Sequence, residues 1–354
     1  MATDRMYEAA FRFREMELWE SLNDSDLFAV TLPDGRIGYC CVMGNGGEHY
    51  AMVFYTGDKG WQTYCRAIDS STGTSMIEMQ LLACSIDQTS CDFESADFIT
   101  PQAKNEAREY AKRTGTVIRR KKGYPEFIRI KPGHAPWKIT GKEDEEAIYE
   151  ALLGGLEVGR VLQDGGVEEL LKKGFLSFRE YPIPGRMKKI PLLKRDGEKF
   201  HWSKTTLPPY DPGRNPAPTL FNNPSLTTLL LSMKGEGVFQ CRFTYAPAEV
   251  QTDKDKAPVV PGWIFTLDEN DWNIIPTVPE PAMAEDLAKL PESLGDTFAA
   301  MNRKPSVIKV CDPTTEALLE DFCGKTGITL QRVKALPQVD GAFDSICQMM
   351  RRGY

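Results

Sequence analysis

The chain has 354 residues, 41% hydrophobic and 26% charged, which supports ordinary folded cores and excludes wholesale disorder. Its 43 basic and 50 acidic residues give a net charge of −7. A surface coated overall for nucleic acid is therefore excluded, though a local basic face is not. No apolar run is long enough to span a membrane.

The first half is α+β. Tyr7, Phe11, Leu18 and Leu22 fall near one helical face. Short strands follow at Leu27–Leu32 and Ile37–Met43, around the turn Pro33-Asp34-Gly35, with a third at Tyr50–Tyr55. Gly57–Gly60 is expected as a loop and Trp61–Ile68 as a helix. Pro101–Thr114 is a second long helix, closed by Gly115. Val117–Arg120 and Phe127–Ile130 are expected as a strand pair. Thr140 and Glu143 have capping-box spacing before a long apolar stripe through Ile148, Leu152, Leu156 and Leu162. Gly154, Gly155 and Gly159 within it point to close helix packing. Asp164-Gly165-Gly166 ends this helix, and Val167–Lys173 is a shorter one.

Strands are expected at Phe175–Pro184 and Ile190–Trp202. The prolines between Leu207 and Pro218 block helix and sheet ladders, so this stretch is a linker or extended arm. Three regions follow: an α+β domain over 1–173, a hairpin and proline-rich linker over 174–222, and a mixed α/β domain over 223–354. In the last, the expected order is β-β-β-α-β-α-β-α, with strands at Val238–Tyr245, Trp263–Asp268, Asn273–Val278, Val307–Val310 and Ile328–Val333. A stripe from Met283 to Met301 makes a helix that Pro291 should kink or split.

That order is similar to the RNase H-like fold of integrases and transposases. "FQCRFTYA" (239–246) resembles the first integrase strand, and "KPSVIKVCDPTTEALLEDFCGKTGITLQRV" (304–333) resembles the segment in which a strand ends in Asp before a helix. The whole chain also resembles a family of uncharacterised bacterial proteins, mainly from Firmicutes, that pair two domains of unknown function. "LWESLNDSDLFAVTLPDGRIGYCCVMGNGGEHYAMVFYTGDKG", "YPEFIRIKPGHAPWKIT" and the stretch from Lys304 to Phe343 carry that likeness. It implies no activity. Some relatives bear a Cys-rich zinc-binding tail, which is not seen by Tyr354.

A nuclease of this fold would hold two metal ions between carboxylates, which stabilise the attacking and leaving oxygens. The first-strand position for an Asp is Arg242, whose fixed positive charge repels a metal ion. Asp312 matches the fourth strand, Asp344 is the nearest acid on the final helix, and Asp268 ends the second strand. Asp312 also precedes Pro313, the residue pair of a helix start, so its carboxylate is expected as an N-cap. These three acids are weak catalytic candidates. A non-catalytic binding or scaffold protein is expected ahead of a metal-dependent phosphodiesterase, with no cofactor.

Arg119, Arg120, Lys121, Lys122 and Arg129 lie among Tyr124 and Phe127, a pattern that suits single-stranded nucleic acid; a solvated hairpin tip is the plainer reading. A partner could be protein or single-stranded nucleic acid. Gly44-Asn45-Gly46-Gly47 lacks the ending of a phosphate loop and is expected as a hairpin turn. The nine cysteines are scattered without a CxxC pair, and His49, His134 and His201 are isolated, so neither a disulfide framework nor a zinc site is indicated. Cys40 and Cys41 point to opposite faces of a strand, one of them into a core. The start carries charges and no apolar signal core, so a cytoplasmic location is expected.

Overall fold

A computed structural model describes residues 2–69, 75–175, 189–210, 218–275, 277 and 287–351. The elements in chain order are α1 (Asp4–Met16), β1 (Phe28–Thr31), β2 (Ile37–Met43), β3 (Ala51–Thr56), α2 (Gly57–Ile68), α3 (Met76–Ala83), β4 (Gln88–Glu94), α4 (Pro101–Thr114), β5 (Tyr124–Ile130), β6 (Trp137–Lys138) and α5 (Lys142–Lys173). They continue with β7 (Lys189–Asp196), β8 (Lys199–Thr206), α6 (Pro224–Ser232), β9 (Val238–Tyr245), β10 (Gly262–Asp268), β11 (Ile274–Ile275), α7 (Leu290–Ala300), β12 (Val307–Val310), α8 (Pro313–Thr326), β13 (Thr329–Arg332) and α9 (Pro337–Arg351).

These elements form two compact units. One comprises Met1–Asp69, Ile86–Lys131 and Pro136–Asp211; the other comprises Ser70–Ser85, Pro132–Ala135 and Pro212–Tyr354. The segment carrying α3 thus belongs to the second unit although it lies early in sequence. The β7–β8 hairpin, which falls in the expected linker region, belongs to the first.

The first unit is built on an eight-stranded sheet ordered β6-β5-β4-β3-β2-β1-β7-β8. Its neighbours are antiparallel except for the β1–β7 pair, which is parallel. Side chains alternate across the sheet, as strand geometry requires. Phe28, Cys40, Met52, Phe54 and Phe93 meet α1 and α5 on one face. Tyr39, Cys41, Val53 and Tyr55 meet Trp61 and Tyr64 of α2 on the other. Cys40 and Cys41 do point to opposite faces, but both are buried, because helices cover both sides of the sheet here. The glycines of α5 allow the expected close approach: a Cβ on Gly155 would sit 2.6 Å from Phe13 and 2.7 Å from Met52.

Several local expectations need correction. Gly57–Gly60 is the first turn of α2, not a loop. Val117–Arg120 is not a strand; only β5 forms there. Helix α5 starts one residue past the expected cap, at Lys142 after Gly141, so Thr140 caps nothing. The expected end of the long helix is observed: the backbone breaks at Gly166 (φ 69°), and Val167–Lys173 follows as a shorter helix. Expected strand residues 176–184 and most of the proline arm lie outside the described residues. The arm's beginning docks on α2, where Trp61 Nε1 donates to the Pro208 carbonyl at 2.8 Å and Gln62 to that of Pro209 at 2.8 Å.

The second unit holds a five-stranded mixed sheet ordered β11-β10-β9-β12-β13. β9, β10 and β11 run antiparallel; β12 is parallel to β9 and β13 to β12. One face, with Phe239, Cys241, Phe243, Ile308 and Val310, packs on α6, α7 and α8. The other face, with Phe265 and Leu267, packs on Ile77 of α3 and on Val339 and Phe343 of α9. The expected stripe is split ahead of Pro291 into a 3-10 turn at Leu287–Lys289 and α7, and its residues 283–286 lie outside the described residues. α7 begins at Leu290, so the missing N–H falls in the first turn, where no partner is needed.

Candidate functional site

The alternation of β9 decides where its one arginine goes. Phe239, Cys241 and Phe243 enter the core, so Gln240, Arg242 and Thr244 face the side that carries α3 and α9. Arg242 is 5% exposed, and a guanidinium this deep must be paired. It meets carboxylates from three different elements. It donates to Asp340 of α9, it reaches Glu78 of α3 at 3.4 Å, and its Nε lies 3.9 Å from Asp312 at the start of α8.

Asp312 performs the capping role its sequence context indicated. It accepts from the Thr315 N–H at 2.8 Å and from the Thr315 hydroxyl at 2.6 Å. The same hydroxyl accepts from the Phe243 N–H at 2.8 Å. The ladder between β9 and β12 ends at the Gln240–Lys309 pair, so the two strands part just before Arg242. The start of α8 takes up the backbone donor left free by that separation.

Charges in this cluster shift one another. Burial works against the charge of Arg242, but Cys311, Asp340 and Asp312 outweigh it and its basicity is raised. Burial raises the Asp340 carboxyl; Arg242 opposes that shift, and the nearby Glu78 and Asp344 add to it. Burial also raises the Cys311 thiol, with Arg242 pulling the other way. One oxygen of Asp344 is buried without a hydrogen-bond partner.

Two of the three acids named from sequence therefore belong to this cluster and one does not. Asp268 pairs in register with Phe239, three positions along β9 from Arg242, about 10 Å at strand rise. It is fully buried, ion-paired to Arg303, and accepts from the Asn270 N–H at 2.9 Å. Glu78 and Asp340 escaped the sequence reading. Ser75-x-x-Glu78 was a visible capping box, and Asp340 lies one helical turn before Asp344. Among the described residues, no group of three or more His, Cys, Asp or Glu side chains is arranged to hold a metal ion.

The basic residues of the first unit lie in and after the loop joining α4 to β5. Arg14, 2% exposed, pins that loop by donating to the carbonyls of Val117 and Gly123, both at 3.0 Å. Arg119 pairs with Glu15 and Glu17, and Lys122 lies 3.5 Å from Glu20 and 3.7 Å from the Tyr50 ring centroid. Arg129, on β5, is held by Asp87 and Asp144. Arg120 and Lys121 are exposed. His134 follows the turn at Pro132 and Gly133, forms an isolated antiparallel bridge with Val259, and has Nδ1 2.9 Å from the Pro132 carbonyl. Gly44–Gly47 is the β2–β3 turn, closed by the Gly47 N–H on the Gly44 carbonyl at 3.0 Å.

No described helix is long and apolar enough to cross a membrane. No curated protein and no solved structure matches the chain. Residues 4–173 match the family profile of a domain of unknown function (DUF7309), and residues 228–347 match that of a second (DUF6930), so the chain pairs two regions similar to these families.

Proposed function

We propose that the second unit is an RNase H-like domain whose metal position has been taken over by a guanidinium, and that the protein is a non-catalytic binding or scaffold protein. The sheet supports the fold reading. β9 lies at its centre, with the antiparallel strands on one side and the parallel strands, connected through helices, on the other.

The observation that carries the functional reading is Arg242 among Asp312, Asp340 and Glu78. Arginine keeps its charge at any physiological pH. Its N–H groups already engage carboxylate oxygens that a metal ion would need, and a divalent ion beside it would meet fixed like charge. The test is calorimetric titration of Mn²⁺ into the full chain. No saturable heat is expected from the wild type, whereas Arg242→Asn should gain weak saturable binding. Wild-type binding that disappears in Asp312→Asn would instead support a metal-dependent phosphodiesterase.

For the partner, the ion pairs of Arg119, Lys122 and Arg129 favour protein over single-stranded nucleic acid, since only Arg120 and Lys121 of the five basic residues stand clear of carboxylates among the described residues. A mobility shift with single-stranded oligonucleotide at low salt, lost on neutralising Arg120 and Lys121, would reverse that preference. Nine scattered cysteines with no paired framework in the sequence suit a cytoplasmic setting.

A further inference from the structure

We infer that the second unit carries a helix-recognition groove between β9–β10 and α9, filled in this chain by its own α3. The helix has 8 residues, and isolated helices below ~12–15 residues are marginal in water, so docking must supply its stability. Its contacts have the form of ligand recognition. Ile77 is fully buried among Phe265, Leu267, Leu336, Val339 and Phe343, and Leu81, one turn later on the same face, packs beside it.

Polar contacts set the register. Glu78 divides its carboxylate: Oε2 accepts from the Ser75 N–H at 3.1 Å to complete the capping box, and Oε1 faces Arg242 at 3.4 Å. The Ser75 hydroxyl accepts from the Glu78 N–H at 3.3 Å. Gln80 Nε2 donates to the Ala246 carbonyl at 3.2 Å, and the Cys84 carbonyl accepts from the Gly133 N–H at 2.8 Å. The groove thus reads Ser at the N-cap, an apolar residue two positions on, Glu at the third and an apolar residue at the sixth. Arg242 has a positive role in this arrangement, as the group that selects a carboxylate on the first turn of the docked helix. This inference does not depend on whether the cluster descends from a metal centre.

The test uses the full chain and a fluorescein-labelled peptide of residues 75–85. In Ile77→Asp, hydrogen exchange of the 76–83 amides should accelerate while that of β9 and β10 persists. The peptide should bind this variant saturably and the wild type at least tenfold more weakly, because there the groove is occupied. A peptide carrying Glu78→Gln should bind the variant at least tenfold more weakly than the native peptide. If circular dichroism shows that Ile77→Asp does not fold, full-length Ile77→Ala carries the same measurements. Failure of the peptide to bind a folded variant with accelerated exchange, equal binding to variant and wild type, or unchanged exchange at α3 would each overturn the inference.

Discussion

Asp92 on β4 is 8% exposed, and one of its oxygens has no hydrogen-bond partner. Burial pushes its carboxyl up to about 6, with His49, 3.6 Å away, pulling it down and Glu94 and Glu126 pushing it further up. The folded state therefore binds this proton more tightly than the unfolded chain does. Stability from this group grows as pH falls through about 6 and is complete below about 4. Asp92→Asn is expected to stabilise the protein at pH 8 by on the order of 2 kcal/mol in urea unfolding, and the gain should vanish near pH 4. Arg242 has the opposite character, since its removal leaves the half-buried carboxylates of Asp340, Asp312 and Glu78 without their countercharge. Arg242→Ala should cost about 3–5 kcal/mol at neutral pH by the same measurement, and Arg242→Met less, because its stem still fills the space.

Among elements, two glycines in helices should respond oppositely to the same change. Gly155 of α5 has no room for a methyl group beside Phe13 and Met52, so Gly155→Ala should destabilise by about 1–3 kcal/mol despite the better helix former. Gly324 of α8 is exposed, with nothing near its missing Cβ. Gly324→Ala should stabilise by about 0.5–1 kcal/mol, and thermal unfolding of both variants checks the pair. The contrast shows what sequence makes legible. Helices α4 and α8 were readable because their signals are local: Thr100 or Asp312 as cap, proline next, and Gly115 or Gly327 in left-handed conformation at the end. Helix α3 was not, since Met76, Ile77, Met79, Leu81 and Leu82 spread apolar surface around it with no stripe. Strand β4 was hidden because Thr89, Ser90 and Asp92 are buried polar residues where alternation leads one to expect apolar ones. At the candidate site, the placement of Arg242 and the cap at Asp312 followed from neighbours in sequence. The approach of Glu78 and Asp340 depends on tertiary packing, which no local pattern encodes.

At the scale of the molecule, the stretches similar to known families and the compact units divide the chain differently. The second stretch covers residues 228–347, yet the unit it forms also takes in 75–85 and 132–135. Gly133 shares hydrogen bonds with Cys84 and Val260, and Ala135 with Pro258, so the two insertions close on each other and on the sheet. A fragment of residues 218–354 is expected to unfold at lower urea than the same fragment with residues 75–85 tethered to it. Equal midpoints would show that residues 75–85 contribute nothing to that unit.

The early position of α3 bears on how the polypeptide emerges during translation. Its apolar residues leave the ribosome well before the strands and the terminal helix that shelter them, and a segment this short cannot protect itself by local structure. The nascent chain must therefore carry an exposed, sticky stretch through most of its synthesis. Chaperone occupancy on stalled chains should centre on that stretch and fall away only once Phe343 itself has emerged from the ribosome.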